Sequence, residues 1–340
     1  MRETMREMMR EETSTDNTSA LTGVAATRDA VLKGLRAEPK SLPFWLLYDA
    51  AGSALYERIM RLPEYYPTRT ERHLFERHAT EILAAALAGG AGPVTVIELG
   101  AGNAEKTVVL LAPLQTLAPG SRYVPVDVSP TALAVAVGNM HRALPDLAVT
   151  PLVATNDDVL VMPAATGERR VVLFIGSSIG NLDDSQAVAL LGAIRGAIGP
   201  AGALVLGTDL LKSPSLLVPA YDDAEGVTAA FNLNLLARIN RELGADFDLT
   251  RFRHVALWNG ARARMELYLE STCEQRVYVR ALEREFTFRA GERIHTESST
   301  KYDIAHIDRL LGAAGLLRQT TVQDELGWFG VHVVRLRTNE

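Results

Sequence analysis

The chain has 340 residues, 47% hydrophobic and 22% charged, which excludes a disordered, collagen-like or coiled-coil protein. Lys and Arg number 35 against 41 Asp and Glu, and a net charge of −6 argues against a nucleic-acid partner held through its phosphates. A single cysteine, Cys273, excludes an internal disulfide and a cysteine-based zinc site, and fits a cytoplasmic setting.

The opening MRETMREMMREETSTDNTSA has no apolar core, so residues 1–24 are expected to form a mobile tail and not a signal peptide. No apolar run is long enough for a membrane span. A helical pattern covers 27–35, and Pro39 and Pro43 break it. FWLLYDAAGSALYERIMRL reads as a buried helical segment interrupted at Gly52. LPEYYPTRTE reads as a loop in which Pro63 and Pro67 bracket two tyrosines, and the spacing then predicts a helix over 71–87.

Apolar strands and helices alternate from there. VTVIEL, RYVPVD, AVTPLV, RVVLFI and ALVLGTD read as strands buried on both faces, as in a parallel sheet. In SPTALAVAVGNM, Ser129 is placed as N-cap and Pro130 at the first helical position. The alternation predicts an α/β fold with a doubly wound, mostly parallel sheet. After Asp209 a long helical stretch, DAEGVTAAFNLNLLARINRELGADF, precedes antiparallel-type segments in RARMELYLES and QRVYVRALEREFTF. A helix in IDRLLGAAGL and a closing strand pair finish the chain.

The sharpest local signal is VIELGAGNAEKT, a strand, an acidic residue, Gly100-Ala101-Gly102 and a helix. The glycines let backbone turn and approach a ligand at the strand's carboxyl end. A plain strand–helix turn and a dinucleotide dehydrogenase are the alternatives. Against the second, the third glycine of the dinucleotide fingerprint is missing. Asp127 ends the second strand, where a carboxylate can accept both hydroxyls of a ribose. FIGSSIGNL sets Gly176, Ser177, Gly180 and Asn181 where substrate and a methyl donor would meet, which favours S-adenosylmethionine over a dinucleotide. The seven histidines form no ligand cluster. Asp222-Asp223 lacks a third carboxylate and reads as the cap of a helix beginning at Ala224, so no metal is expected.

Seven stretches resemble the histidine Nα-methyltransferases of ergothioneine biosynthesis: LPEYYPTRTE, ELGAGNAEKT, FIGSSIGNL, GTDLLK, AYDDAEGVTAAFNLN, NRELGADFD and IHTESSTKY. The resemblance is taken to extend from about Lys40 to Tyr302. The resemblance implies a Rossmann-like methyltransferase core over 70–210 and 302–340, with an inserted α+β substrate-binding domain over 25–69 and 211–301. It implies S-adenosyl-L-methionine as cofactor, with donor contacts at Gly100, Lys106 and Asp127. Asn156 and Asp157 stand where the family has an acidic residue and an aromatic against the adenine, so the aromatic stack is lost and weaker donor binding is expected. The amino-acid site falls on Tyr65, Asn181, Tyr221, Glu297 and Ser299, with Tyr48 beside the reacting amine as the catalytic residue.

Without the resemblance, Tyr48 reads as core, Asn181 as a helix cap and Glu297 as a surface partner of Lys301. With it, the expected reaction methylates the α-amine of free L-histidine up to the trimethyl product. The alternatives are another free amino acid, such as arginine or tryptophan, and a non-catalytic donor-binding regulator. The expected partner is a small-molecule amino-acid substrate, with neither nucleic acid nor membrane; the oligomeric state is open.

Overall fold

The structure is a computed structural model that describes residues 23–160 and 167–337, without the side chains of Asn156 and Asp157. The tail expected over 1–24 lies, up to residue 22, outside the described residues.

In chain order, helix α1 (Val24–Arg36) and a 3-10 turn (Phe44–Leu47) precede α2 (Ala50–Ile59) and the long α3 (Tyr66–Leu87). The break in the second helical segment falls at Tyr48-Asp49, not at Gly52, because Asp49 Oδ1 accepts from the Gly52 amide at 2.7 Å and starts a new helix there. Helix α3 begins at Tyr66, five residues before the expected start. Pro67 sits in its first turn, where the missing N–H costs nothing.

Strand β1 (Thr95–Leu99) leads to α4 (Glu105–Leu111) and the short α5 (Leu114–Leu117). Strand β2 (Arg122–Asp127) leads to α6 (Pro130–Ala143), capped by Ser129, which accepts from Ala132 N at 3.2 Å. The third expected strand is split into β3 (Ala148–Val149) and β4 (Leu152–Val153), and both pair with β2. Pro151, which has no N–H for a ladder, stands between them. Then follow α7 (Asn156–Leu160), β5 (Arg170–Phe174), a 3-10 turn (Ser178–Asn181), α8 (Asp184–Ile198) and β6 (Ala203–Asp209).

After β6 come α9 (Pro214–Tyr221), absent from the sequence reading, and α10 (Val227–Leu243). Asp223 caps α10, accepting from Val227 N at 2.9 Å and Thr228 N at 2.7 Å, so its capping role holds while the helix starts three residues later than expected. Strands β7 (Phe252–Asn259), β8 (Arg264–Ser271), β9 (Gln275–Val279), β10 (Arg284–Phe288) and β11 (Arg293–Thr300) precede α11 (Ile304–Ala313), β12 (Leu316–Gln323) and β13 (Phe329–Leu336).

The chain divides into two compact units. One takes the described part of 1–53 with 229–255 and 267–297; the other takes 54–228, 256–266 and the described part of 298–340. Among the described residues of the second, eight strands form a sheet in the order β12-β13-β6-β5-β1-β2-β3, with β4 also on β2. Neighbours from β6 to β2 are parallel, and β13 runs antiparallel to both β6 and β12. Alternate residues feed two cores. Val96, Val171, Leu173 and Val205 join Leu74, Phe75, Ile82 and Leu83 of α3 on one face. Ile97, Val172, Phe174, Leu204 and Leu206 join Leu191 and Ile194 of α8 and Ile307 and Leu310 of α11 on the other. Burial on both faces explains why these strands read as unbroken apolar runs.

In the first unit, β9 pairs antiparallel with β10. Phe288 meets Phe252 edge-on at 5.4 Å and Phe247 at 6.0 Å, and all three rings are buried. Truncating Phe288 opens a cavity, so Phe288→Ala should lower the unfolding free energy by about 3–5 kcal/mol. Urea unfolding checks this, and a loss below about 1 kcal/mol would contradict the packing described.

Candidate active site

Strand β1 ends at Leu99, and Gly100 and Gly102 follow with φ of +67° and +54°. Only glycine adopts such angles without strain. A Cβ placed on either glycine meets nothing within 4 Å, so the turn offers an open backbone surface. Asp127, at the end of neighbouring β2, accepts from Gly102 N and from Ser129 N, both at 2.9 Å. Each carboxylate oxygen keeps a second lone pair for another donor.

Lys106, in the first turn of α4, pairs with Glu71 of α3. Glu71 is fully buried and also accepts from Gly176 N at 2.8 and 3.1 Å, so one carboxylate joins α3, α4 and the loop after β5. Burial works to lower the Lys106 ammonium, but the Glu71 charge outweighs it and holds the group above the usual lysine range. Beneath the glycine turn, Glu98 accepts from Tyr123 and, at 2.7 Å, from Thr107.

The loop after β5 carries Asn181 at the end of its 3-10 turn, half-buried. The cap of α8 is Asp183, which forms a reciprocal capping box with Gln186, so the cap reading of Asn181 does not apply. A Cβ on Gly180 would stand 3.0 Å from Thr300 O, and this close approach sets the Asn181 turn against the residue that follows Ser299.

Tyr221 ends α9, and its Oη lies 2.8 Å from Ser299 Oγ. The Tyr65 ring meets the Tyr221 ring edge-on at 6.3 Å, and Tyr65 Oη lies 3.3 Å from Tyr56 Oη. Tyr65, Tyr221, Ser299 and the Asn181 turn are thus assembled within the second unit, as are Gly100, Lys106 and Asp127. Tyr48 and Glu297 belong to the first unit. Tyr48 closes the 3-10 turn after Pro43, with its ring edge-on to Phe231 at 5.4 Å. Glu297 on β11 is 8% exposed. Asn156 and Asp157 have side chains outside the described residues.

The surface pairing of Glu297 with Lys301 is overturned. The Lys301 side chain is 0% exposed and pairs with Asp209 at 2.8 Å. Asp209 ends β6. Tyr66 Oη donates to its two oxygens at 2.7 and 2.9 Å, Lys212 Nζ donates to Oδ1 at 2.5 Å, and Ser177 Oγ accepts from its amide at 2.9 Å. Sequence reasoning singled out neither this cluster nor Glu71. The only signal was that Glu71, Asp209, Lys212 and Lys301 lie inside the matched stretches LPEYYPTRTE, GTDLLK and IHTESSTKY. His332 is buried between Thr208 at 2.8 Å and Thr321 at 2.9 Å, and burial lowers it to about 4. No group able to hold a metal ion occurs among the described residues.

A family model described as histidine-specific methyltransferase, S-adenosylmethionine-dependent, matches residues 27–336. The chain belongs to this family. The histidine N-alpha-methyltransferase of Mycolicibacterium smegmatis is 42% identical over 306 residues, covering 90% of this chain and 94% of that protein. The histidine N-alpha-methyltransferase of Mycobacterium tuberculosis is 42% identical over 309 residues, covering 91% and 94%. Among solved structures, the CcbJ methyltransferase from Streptomyces caelestis superposes with a TM-score of 0.43 at 16% identity, over 77% of this chain and 90% of that one.

The methyltransferase is therefore S-adenosylmethionine-dependent, and the residues expected on the donor side are chemically compatible with that ligand. The glycine turn is open, Asp127 retains acceptor capacity of the kind ribose hydroxyls need, and Lys106 carries an ammonium of the kind a carboxylate needs.

Glu98, below the turn, gives a pH test. Burial pushes its carboxyl up from 4.5 to about 7, against the hydrogen bonds from Tyr123 and Thr107. A value raised on folding contributes stability that is present below the unfolded value and is lost as pH rises from about 4.5 to about 7. Glu98→Gln removes that contribution. Between about pH 5 and pH 7.5 its Tm should fall less than that of wild type, and an equal fall in both would contradict the assignment.

Proposed function

We propose that the protein methylates the α-amine of free L-histidine up to Nα,Nα,Nα-trimethylhistidine, a step of ergothioneine formation, in the cytoplasm. The observation that carries this reading is the buried Tyr221–Ser299 hydroxyl pair, set beside Tyr65 and the Asn181 turn in a chain of the histidine-specific family. The substrate-binding part is assigned to 25–69 and 211–301, and the methyltransferase core to 70–210 and 302–340. With a net charge of −6, the reading takes a small molecule and not a nucleic acid as partner.

S-adenosylmethionine, when bound, supplies the methyl group already activated as a sulfonium. Gly100, Lys106 and Asp127 are assigned to hold it, with Asn156 and Asp157 toward the adenine. The chain's remaining task is to align an amine. Asn181 carries both an amide N–H and a carbonyl oxygen, so it suits an α-carboxylate and a neutral α-amine together. Tyr221 donates to the carboxylate. Glu297 and Ser299 stand two apart on β11, so their side chains leave the strand on the same side, as a grip on the two polar atoms of an imidazole requires. Tyr65 completes that pocket.

The α-amine titrates within a few units of neutral pH, so a neutral, nucleophilic fraction exists without a dedicated general base. Tyr48 is assigned beside it, where an aromatic face tolerates the ammonium that builds up with each transfer.

The test incubates the protein with S-adenosylmethionine and single free amino acids, and reads methylated product by mass spectrometry. L-histidine should give mono-, di- and trimethylated species. Glu297→Ala should lower kcat/KM for histidine about tenfold to a hundredfold, since a polar group left unpaired in a closed pocket costs ~1–3 kcal/mol. Preference for arginine or tryptophan in the wild type would replace histidine as substrate. Donor binding without any turnover would support a regulator instead.

A further inference from the structure

Lys301 follows Ser299 by two residues, where β11 gives way to the segment before α11. An ammonium has three protons to donate and no lone pair. All three are spent within the second unit, on Asp209 Oδ2 at 2.8 Å, Tyr221 Oη at 2.6 Å and Ser299 Oγ at 2.8 Å.

This constrains both hydroxyls. Each must turn a lone pair toward Lys301, so neither O–H points at the ammonium. Tyr221 Oη and Ser299 Oγ are themselves 2.8 Å apart, so one O–H serves the bond between them. Tyr221 keeps its proton. Burial pushes its hydroxyl above the ordinary tyrosine range, although Lys301 pulls the other way.

Lys301 is also held in place from behind. Asp209 divides its oxygens among Lys301, Lys212 and Tyr66, and Lys212 donates in addition to Tyr66 Oη at 3.0 Å and Leu210 O at 2.5 Å. Asp324 faces Lys212 as well, with its carboxylate held by the amides of Leu326, Trp328 and Phe329. The carboxylate charge opposite Lys301 is thus shared with a second ammonium.

We propose that Lys301, anchored by Asp209, is a positioning residue that holds the Tyr221 hydroxyl beside a fixed positive charge and so makes it selective for an anionic acceptor, the α-carboxylate of a free amino acid. The proposal rests on the assignment of Tyr221 to the substrate carboxylate. An amide or ester in place of the carboxylate offers Tyr221 a neutral acceptor, and the charge of Lys301 then adds little.

The experiment compares wild type, Lys301→Met and Lys301→Arg on L-histidine and on L-histidinamide, with calorimetry of S-adenosylhomocysteine binding on each protein. Lys301→Met should raise the KM of L-histidine about tenfold or more, as for a hydrogen bond to a charged group. It should leave kcat within about threefold and change L-histidinamide and S-adenosylhomocysteine binding little. Lys301→Arg keeps the charge and should recover part of the histidine KM. Lys301→Gln fills the same space with a neutral donor and carries the comparison if Lys301→Met fails to fold. Equal loss on histidine and histidinamide, or a change confined to kcat, overturns the role of Lys301. Absence of wild-type turnover on L-histidine overturns instead the function reading beneath it.

Discussion

Asp209 is a carboxylate with nowhere to go but its partners. It ends β6 at 1% exposure, and an ion taken out of water there persists only if its oxygens are answered. Tyr66 answers from the first turn of α3, Lys212 from the segment before α9, and Lys301 from beyond β11. Ser177 meets the amide of the same residue from the loop after β5, in a left-handed conformation that this bond holds. One buried charge therefore ties together the strand ends, the tyrosine-bearing entry to α3 and the residues following Ser299. Loss of either lysine leaves the charge partly uncompensated.

A second buried carboxylate, Glu71, does the same work on the donor side, joining Lys106 to Gly176 N. Tyr66 and Glu71 stand five residues apart on α3, so one helix supplies a ligand to each cluster. The short stretch LPEYYPTRTE thereby contributes Tyr65 to the proposed substrate site, Tyr66 to Asp209 and Glu71 to Lys106. The chemistry needs little more than alignment, because the donor is a sulfonium and the amine ionises within a few units of neutral pH. A site built from hydroxyls, an amide and fixed charges, without a catalytic histidine, suits that demand.

Much of the fold was legible in the sequence because it rests on local patterns. Strands buried on both faces leave unbroken apolar runs, and β6 occupies the residues of ALVLGTD. Ser129 and Asp223 acted as the caps their side chains favour. The misplacements were local competitions. Pro67 looked like a loop marker but opened a helix, Asp49 moved the helix break ahead of Gly52, and Pro151 split a strand. The buried charges were not legible at all. Lys301 reads as a surface lysine beside Glu297, and only the fold brings it against Asp209, 92 residues earlier in the chain, in a fully buried pair. The roles given to Tyr48, Glu297 and the donor-side residues came from family resemblance, which no periodicity encodes.

The claim that Lys301 and Tyr221 act as one unit in holding the substrate is tested most directly by a double-mutant cycle on L-histidine binding. The proteins are wild type, Lys301→Met, Tyr221→Phe and the double variant, each saturated with S-adenosylhomocysteine and titrated with L-histidine in a calorimeter. The account requires the double variant to lose no more affinity than the worse single one, a coupling of about 1 kcal/mol or more. Losses that add within about 0.5 kcal/mol would show two independent residues and contradict it.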